Sequence, residues 1–215
     1  MGEAKRRKEE GLPPKKKTSG FAEPTQSSKK QSKQHNNQDE TKEKQAITLL
    51  QAGKLEEAKE VYRDLIAKGS KNHLVYGNLA VIYLMRGDNK QGINLLKNAL
   101  KLKPNDPVAH NNLGNALQEQ GNLNDAIASY QQALKLKSNY PEALNNLGNA
   151  LKEQGDLNAA IVSFQQTLKL KPHYPEAHNN LGIALQEQGN LKAAISSYQQ
   201  AIKYKTNFPE AHYNL

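Results

Sequence analysis

The stretch HNNLGNALQEQGN, residues 110–122, is followed by two close copies of itself. The chain reads LNNLGNALKEQGD at residues 144–156 and HNNLGIALQEQGN at residues 178–190, so the copies start 34 residues apart. A fixed period between about 20 and 50 residues is typical of solenoids, in which each repeat packs against its neighbours. The glycine near the end of each copy recurs with the same period at Gly53, Gly87, Gly121, Gly155 and Gly189. The period therefore predicts a repeat array over most of the chain.

Each repeat is expected to be a hairpin of two helices. In the unit 107–140, one face of a helix is predicted by the spacing i, i+3, i+4, i+7 of His110, Leu113, Gly114 and Leu117. Gly121 is expected to end this helix in a left-handed conformation, and a second helical pattern follows it. The period divides the array into units 39–72, 73–106, 107–140, 141–174 and 175–208, with the start of a sixth at 209–215.

One position in every first helix and one in every second helix is always small. The first set is Ala46, Ala80, Gly114, Gly148 and Gly182, and the second is Ala58, Gly92, Ala126, Ala160 and Ala194. Glycine inside a helix costs about 1 kcal/mol relative to alanine, so we expect the two backbones to approach closely there. A large residue four positions after the second set is expected to fill the space toward the neighbouring unit: Tyr62, Leu96, Tyr130, Phe164 and Tyr198.

The spacing of these leucines, small residues, aromatics and prolines resembles the tetratricopeptide repeat over residues 39–215. The resemblance implies an all-α fold, a right-handed α-solenoid whose first helices line a concave groove. It also implies a non-catalytic scaffold that binds peptide segments or proteins in that groove. Related domains that hold a C-terminal carboxylate carry cations on this face. At the corresponding places this chain has Glu43, Ile47, Val108, Asn111, Asn112 and Asn115, so we expect no preference for acidic C-terminal peptides.

Asparagines recur on the first helix of each unit, although asparagine is a poor helix former. An amide that both donates and accepts can hold an extended peptide backbone. Such a ladder resembles the tetratricopeptide arm of protein O-linked N-acetylglucosamine transferases. The alternative is that the amides bond between adjacent helices, and both interpretations stay open. The candidate peptide-binding residues are Asn78, Asn111, Asn112, Asn115, Asn145, Asn146, Asn149, Asn179 and Asn180.

We expect no catalytic residue, no metal and no cofactor. The chain has no cysteine, which excludes disulfides and thiol chemistry. His110, His178 and His212 share one repeat position, but neighbouring helices lie about 8–10 Å apart whereas zinc needs its ligands at about 2 Å. The recurring serines Ser129, Ser163 and Ser197 have no histidine and acid arranged as a triad requires.

The basic character of the chain is concentrated at its beginning. The formal net charge is +9, and residues 1–38 contain ten lysines and arginines against four glutamates. With so few apolar residues, this segment is predicted to be a disordered basic arm. Lysine pairs near the ends of the second helices are interpreted as partners of the helix dipoles, so no specific nucleic acid is expected. No apolar run is long enough for a membrane helix, and without a secretory signal the protein is expected to be cytoplasmic.

Two functions fit this pattern. The first is the scaffold just described, with a protein or peptide as its partner. The alternative is a substrate-recruiting arm of a larger or truncated enzyme, most plausibly a glycosyltransferase. The alternative rests on the last segment, PEAHYNL at residues 209–215, where the chain stops inside a first helix without the polar cap that such arrays need. Self-association of two chains through this uncapped end would also cover its exposed apolar face.

Overall fold

The computed structural model describes the backbone of residues 26–215 and the side chains of residues 39–215. Within that part of the chain all regular structure is α-helical. The helices are α1 (Gln26–Gln51), α2 (Leu55–Ala67), α3 (His73–Met85), α4 (Asn89–Leu102), α5 (Pro107–Glu119), α6 (Leu123–Leu136), α7 (Pro141–Gln154), α8 (Leu157–Leu170), α9 (Pro175–Glu187), α10 (Leu191–Tyr204) and α11 (Pro209–Asn214). The all-α fold predicted from the period is confirmed.

The beginning of the array differs from the sequence expectation. The chain divides into two compact units, residues 1–41 and 42–215. In the first unit the structure describes the start of α1 from Gln26, which is earlier than the expected beginning of the array at residue 39. Lysine, glutamine and glutamate are adequate helix formers, so composition alone does not end the helix there. Residues 1–25 of the arm predicted at residues 1–38 lie outside the described residues, and the domain boundary at residue 38 stays a prediction.

The hairpin turns follow from glycine. Gly121 has φ +79°, and its counterparts at the same repeat position all have positive φ as well, a conformation that costs glycine little. The Gly121 amide donates to the Gln118 carbonyl, which satisfies one of the open groups at the end of α5. The predicted left-handed helix ends are therefore confirmed. The next helix begins within two residues, so the hairpin is tight.

Packing between the helices gives the array its curvature. The second helix of a repeat packs against its own first helix and against the first helix of the next repeat. First helices of successive repeats also contact one another, as α5 contacts α7 and α7 contacts α9. The first helices therefore lie on the inner side of the array and line its concave face. Among the described residues, no helix is both long enough and apolar enough to cross a membrane.

The small residues of the first helices make room for rings. A Cβ added to Gly114 would lie 2.5 Å from the Tyr130 ring, and one added to Gly148 would lie 2.6 Å from the Phe164 ring. Tyr130 and Phe164 are fully buried and belong to the second helix of the same repeat. The close approach expected at these glycines is therefore that of an aromatic side chain to a backbone, rather than of two backbones.

Candidate binding groove

The exposed face of α3 is apolar. Its buried residues Val75, Leu79, Ala80 and Ile82 lie on one side of the helix. Leu74, Val81 and Met85 lie on the other, because residues i, i+7 and i+11 share a face. Leu74 is 51 % exposed and Met85 is 66 % exposed. These side chains form part of the concave face and contribute little to the core.

The apolar surface continues onto the neighbouring first helices. Val108 takes the position of Leu74 in the next repeat and is 52 % exposed, and Ile47 takes the position of Val81 in the preceding repeat. We call the set Ile47, Leu74, Val81, Met85 and Val108 the apolar end of the groove. Sequence reasoning had noted Ile47 and Val108 only as positions without cations. The signal it missed is α3 itself, whose sequence HLVYGNLAVIYLM contains no Lys, Arg, Asp or Glu.

Farther along the array the same face carries acids. The residues that occupy the repeat position of Met85 in the next three repeats are Glu119, Glu153 and Glu187, and all three are exposed. We call these three residues the acidic row. Glu153 accepts a hydrogen bond from the neutral Gln118 amide at 2.6 Å. The Lys152 ammonium lies 4.0 Å from Glu187, at the limit of an ion pair.

Among the described residues, most of the asparagines predicted to bind a peptide are hydrogen-bonded within the fold, and two of them are not. Asn111, Asn145 and Asn179 are buried, and their side-chain oxygens accept amide hydrogens from the next repeat. The bonds run from Asn146 to Asn111 at 3.2 Å, from Asn180 to Asn145 at 3.2 Å and from Asn214 to Asn179 at 3.1 Å. These contacts are the helix-to-helix bonds that the alternative interpretation expected.

The other asparagines differ in what they contact. The Asn78 amide donates to the Tyr62 hydroxyl at 3.1 Å, and Asn115 accepts from both Tyr130 and Asn146. Within the described residues, the side chains of Asn112 and Asn149 form no hydrogen bond to another protein group, and both are half-buried. Asn112 lacks an acceptor because Gly77 stands where the following repeats have asparagine. Asn112 and Asn149 are thus the predicted residues whose amides the fold leaves open.

The recurring histidines hold the loops between repeats. In His110, His178 and His212 the Nε2 atom lies 2.9 Å from a backbone carbonyl six residues earlier. Burial lowers the pKa of His178 below its usual value, and the nearby His173 adds to this effect. No group of three or more metal-ligating side chains occurs in the part of the chain that the structure describes.

The serines and lysines also have roles within the fold. Ser129 is buried and its hydroxyl donates to the Asp125 carbonyl at 2.8 Å, as its counterparts do one repeat apart. The Lys171 ammonium lies 4.2 Å from the centre of the Tyr174 ring and 3.4 Å from a Glu142 oxygen. Lys205 makes the same pair of contacts one repeat later. Each of these contacts lies within one repeat, where the lysine joins the end of the second helix to the beginning of the first.

Comparison with known proteins gives the family and the fold. A family model described as a TPR repeat matches residues 82–121, 119–155, 148–189 and 184–215. No curated protein sequence matches the chain. Many solved structures do, all at low identity among those compared. Likeness at this level of identity shows the fold, a right-handed solenoid of helix hairpins.

Three of these structures illustrate the range. A MamA fragment from Desulfovibrio magneticus RS-1 is 18 % identical, with a TM-score of 0.72 over 78 % of this chain and 95 % of its own. PilF from Pseudomonas aeruginosa is 19 % identical, with a TM-score of 0.72 over 82 % of this chain and 80 % of its own. YrrB, described as a TPR protein with an unusual peptide-binding site, is 22 % identical, with a TM-score of 0.68 over 78 % of this chain and 87 % of its own.

Proposed function

The chain belongs to the tetratricopeptide repeat family, and we propose that it is a non-catalytic scaffold that binds a peptide segment of a partner protein in its concave groove. The recurring histidines and serines, which could have served as metal ligands or catalytic residues, support this proposal. The histidines bind backbone carbonyls and the serines bond within their own helices. These side chains are occupied by the fold, which favours a binding role over catalysis.

The observation that supports this proposal most strongly is the exposed apolar surface of the first helices. Large apolar side chains such as Leu74 and Met85 are more than half exposed there, and exposed apolar clusters rimmed by polar groups are typical of interaction sites. On the first helices of the next two repeats, Asn112 and Asn149 keep amides that can bond to a peptide backbone. The groove therefore combines apolar contact with backbone-directed hydrogen bonds, as peptide-binding surfaces do.

Panning a displayed library of random peptides on the full chain tests the proposal. The groove variant combines Met85→Ser with Asn149→Ala. The matched control combines Leu191→Ser with Asn94→Ala on second helices, where Leu191 is 60 % exposed and Asn94 is also exposed. We expect enriched peptides to bind the groove variant at least about tenfold more weakly and the control like the wild type. Failure to enrich any peptide, or equal losses in both variants, would contradict a peptide-binding groove.

A further inference from the structure

We propose that the groove selects peptide segments in which apolar residues adjoin lysines or arginines. The apolar residues would contact the apolar end, and the cations would lie along the acidic row. This inference rests on the proposed function, because it names the chemistry of the ligand of the same groove. It is argued from the shape of the apolar end and from the separation of charge between the two faces of the array.

The apolar end has the dimensions of a short peptide. Leu74 and Met85 are eleven residues apart on one helix, which corresponds to about 16 Å at 1.5 Å per residue. An extended peptide rises about 3.3 Å per residue, so about five residues cover this distance. Gly77 lies between them, and a Cβ added to it would meet no atom within 4 Å. The surface between Leu74 and Val81 is therefore open, which leaves room for a side chain of the ligand.

The groove face is acidic although the chain is basic. The first helices α3, α5, α7 and α9 together contain five glutamates and one lysine. The second helices α4, α6, α8 and α10 together contain seven lysines and one aspartate. Over these four repeats the inner face thus carries negative charge and the outer face carries positive charge. In the first repeat the second helix α2 differs, with four acids against Lys59 and Arg63. Along α3 to α10 a cationic ligand is attracted to the groove and repelled from the second helices, which favours docking in the groove.

Within the described part of the groove, Glu119 and Glu153 of the acidic row have no cation bound to them, and Glu187 has only the Lys152 contact at 4.0 Å. Glu142 and Glu176 are also on first helices, but each has a lysine within 3.4 Å. Glu119 forms no ion pair in the described part of the chain, and the partner of Glu153 is an uncharged amide. An exposed carboxylate without a bound cation can pair with a lysine or arginine of a ligand. The row begins in the repeat after Met85, so apolar and cationic contacts follow one another along the groove.

Synthetic peptides of ten residues test this chemistry by fluorescence anisotropy on the full chain. The parent peptide has leucines followed by lysines, a second has glutamates in place of the lysines, and a third has serines in place of the leucines. We expect the parent to bind at least about tenfold more tightly than either of the others. We also expect its affinity to fall as salt is added, because surface charges are screened.

A charge swap gives the sharper readout. In a variant with Glu119→Lys and Glu187→Lys, the parent peptide should lose about tenfold in affinity and the glutamate peptide should gain. A variant with Glu57→Lys and Glu60→Lys, two exposed acids on the second helix α2, is the control with the same change in charge and should change neither. Tighter binding of the glutamate peptide or of a single-stranded oligonucleotide to the wild type would overturn the inference.

Panning of the random-peptide library distinguishes a failure of this inference from a failure of the proposed function. If enriched peptides bind the groove but lack the combination of apolar and basic residues, the inference fails and the scaffold function stands. If no enriched peptide depends on the groove, the proposed function fails, and the inference fails with it.

Discussion

The glycines of the first helices illustrate how a residue is determined by the side chain that faces it. Gly114, Gly148 and Gly182 each lie against a fully buried ring of the second helix. Gly77, in contrast, lies on the groove face, where an added Cβ would meet nothing. The same residue type is therefore a packing requirement in one place and an open position in another.

Substituting alanine at two of these glycines should have opposite effects on stability. Gly148→Ala would place a methyl group against the Phe164 ring, and such overpacking costs about 1–3 kcal/mol. Gly77→Ala should stabilise by up to about 1 kcal/mol, because alanine is the better helix former and has room. Denaturant unfolding of the two variants checks this. Stabilisation by Gly148→Ala would show that the ring can move aside.

His178 should make the stability of the array sensitive to mild acid. Burial lowers its pKa in the folded state below the usual value of 6.5, while the unfolded chain keeps that value. The stability that depends on neutral His178 is therefore complete above pH 6.5 and is lost as the pH falls toward the folded-state pKa.

Melting temperatures of the wild type and of His178→Gln, measured between about pH 7.5 and 5, test this effect. The glutamine amide can still donate to the Pro172 carbonyl that His178 contacts. The wild type should lose more stability on acidification than the variant. Parallel pH profiles would mean that His178 does not contribute to the acid sensitivity.

At the scale of the helices, amide bonds between neighbouring first helices join the repeats. The Asn146 amide donates to Asn111 and to Asn115, whereas Asn112, one repeat earlier, has no such partner. Asn146→Ala should therefore lower the free energy of unfolding by about 1–2 kcal/mol, through the lost bonds and the buried oxygen left unpaired. Asn112→Ala should be neutral or slightly stabilising, and urea titration of both would measure the difference. Equal effects would mean that the amide bonds contribute nothing to stability.

The helix hairpins could be predicted because their causes are local. Gly121 and the apolar spacing before it are sufficient to place a helix end, and the structure has that end where the sequence indicates. The partner of Asn146 could not be predicted, because it depends on how far one repeat rotates relative to the last. The exposed apolar face of α3 was missed for a related reason. Periodicity distinguishes helical faces poorly when a helix such as HLVYGNLAVIYLM is apolar on nearly every side.

At the scale of the whole molecule, the two helices of each hairpin have different tasks. Over helices α3 to α10, the second helices contain seven of the eight lysines and the first helices contain all five glutamates. The first helices also carry the apolar end of the groove. Because each repeat contacts mainly its neighbours, surface positions can vary from repeat to repeat without loss of the fold. The groove thereby changes from apolar to acidic along its length. The resemblance of the asparagine ladder in this groove to the tetratricopeptide arms of glycosyltransferases stays a prediction.

An acidic groove should show no preference for a free peptide C-terminus. Carboxylates are held strongly by charge-assisted bonds to lysine or arginine, and the first helices α3, α5, α7 and α9 contain a single lysine, Lys152. Peptides ending in acidic residues should therefore bind equally weakly with a free or an amidated C-terminus, as measured by calorimetry. Micromolar binding that disappears on amidation would contradict this expectation.

Hydrogen–deuterium exchange of the full chain, with and without a peptide enriched from the library, tests the central claim most directly. Occupation of the concave face slows the opening of the helices that carry it. The account predicts added protection in the first helices α3, α5 and α7, with little change in the second helices α4 and α6. Protection concentrated in the second helices, with the first helices unchanged, would contradict the assignment of the groove as the binding surface.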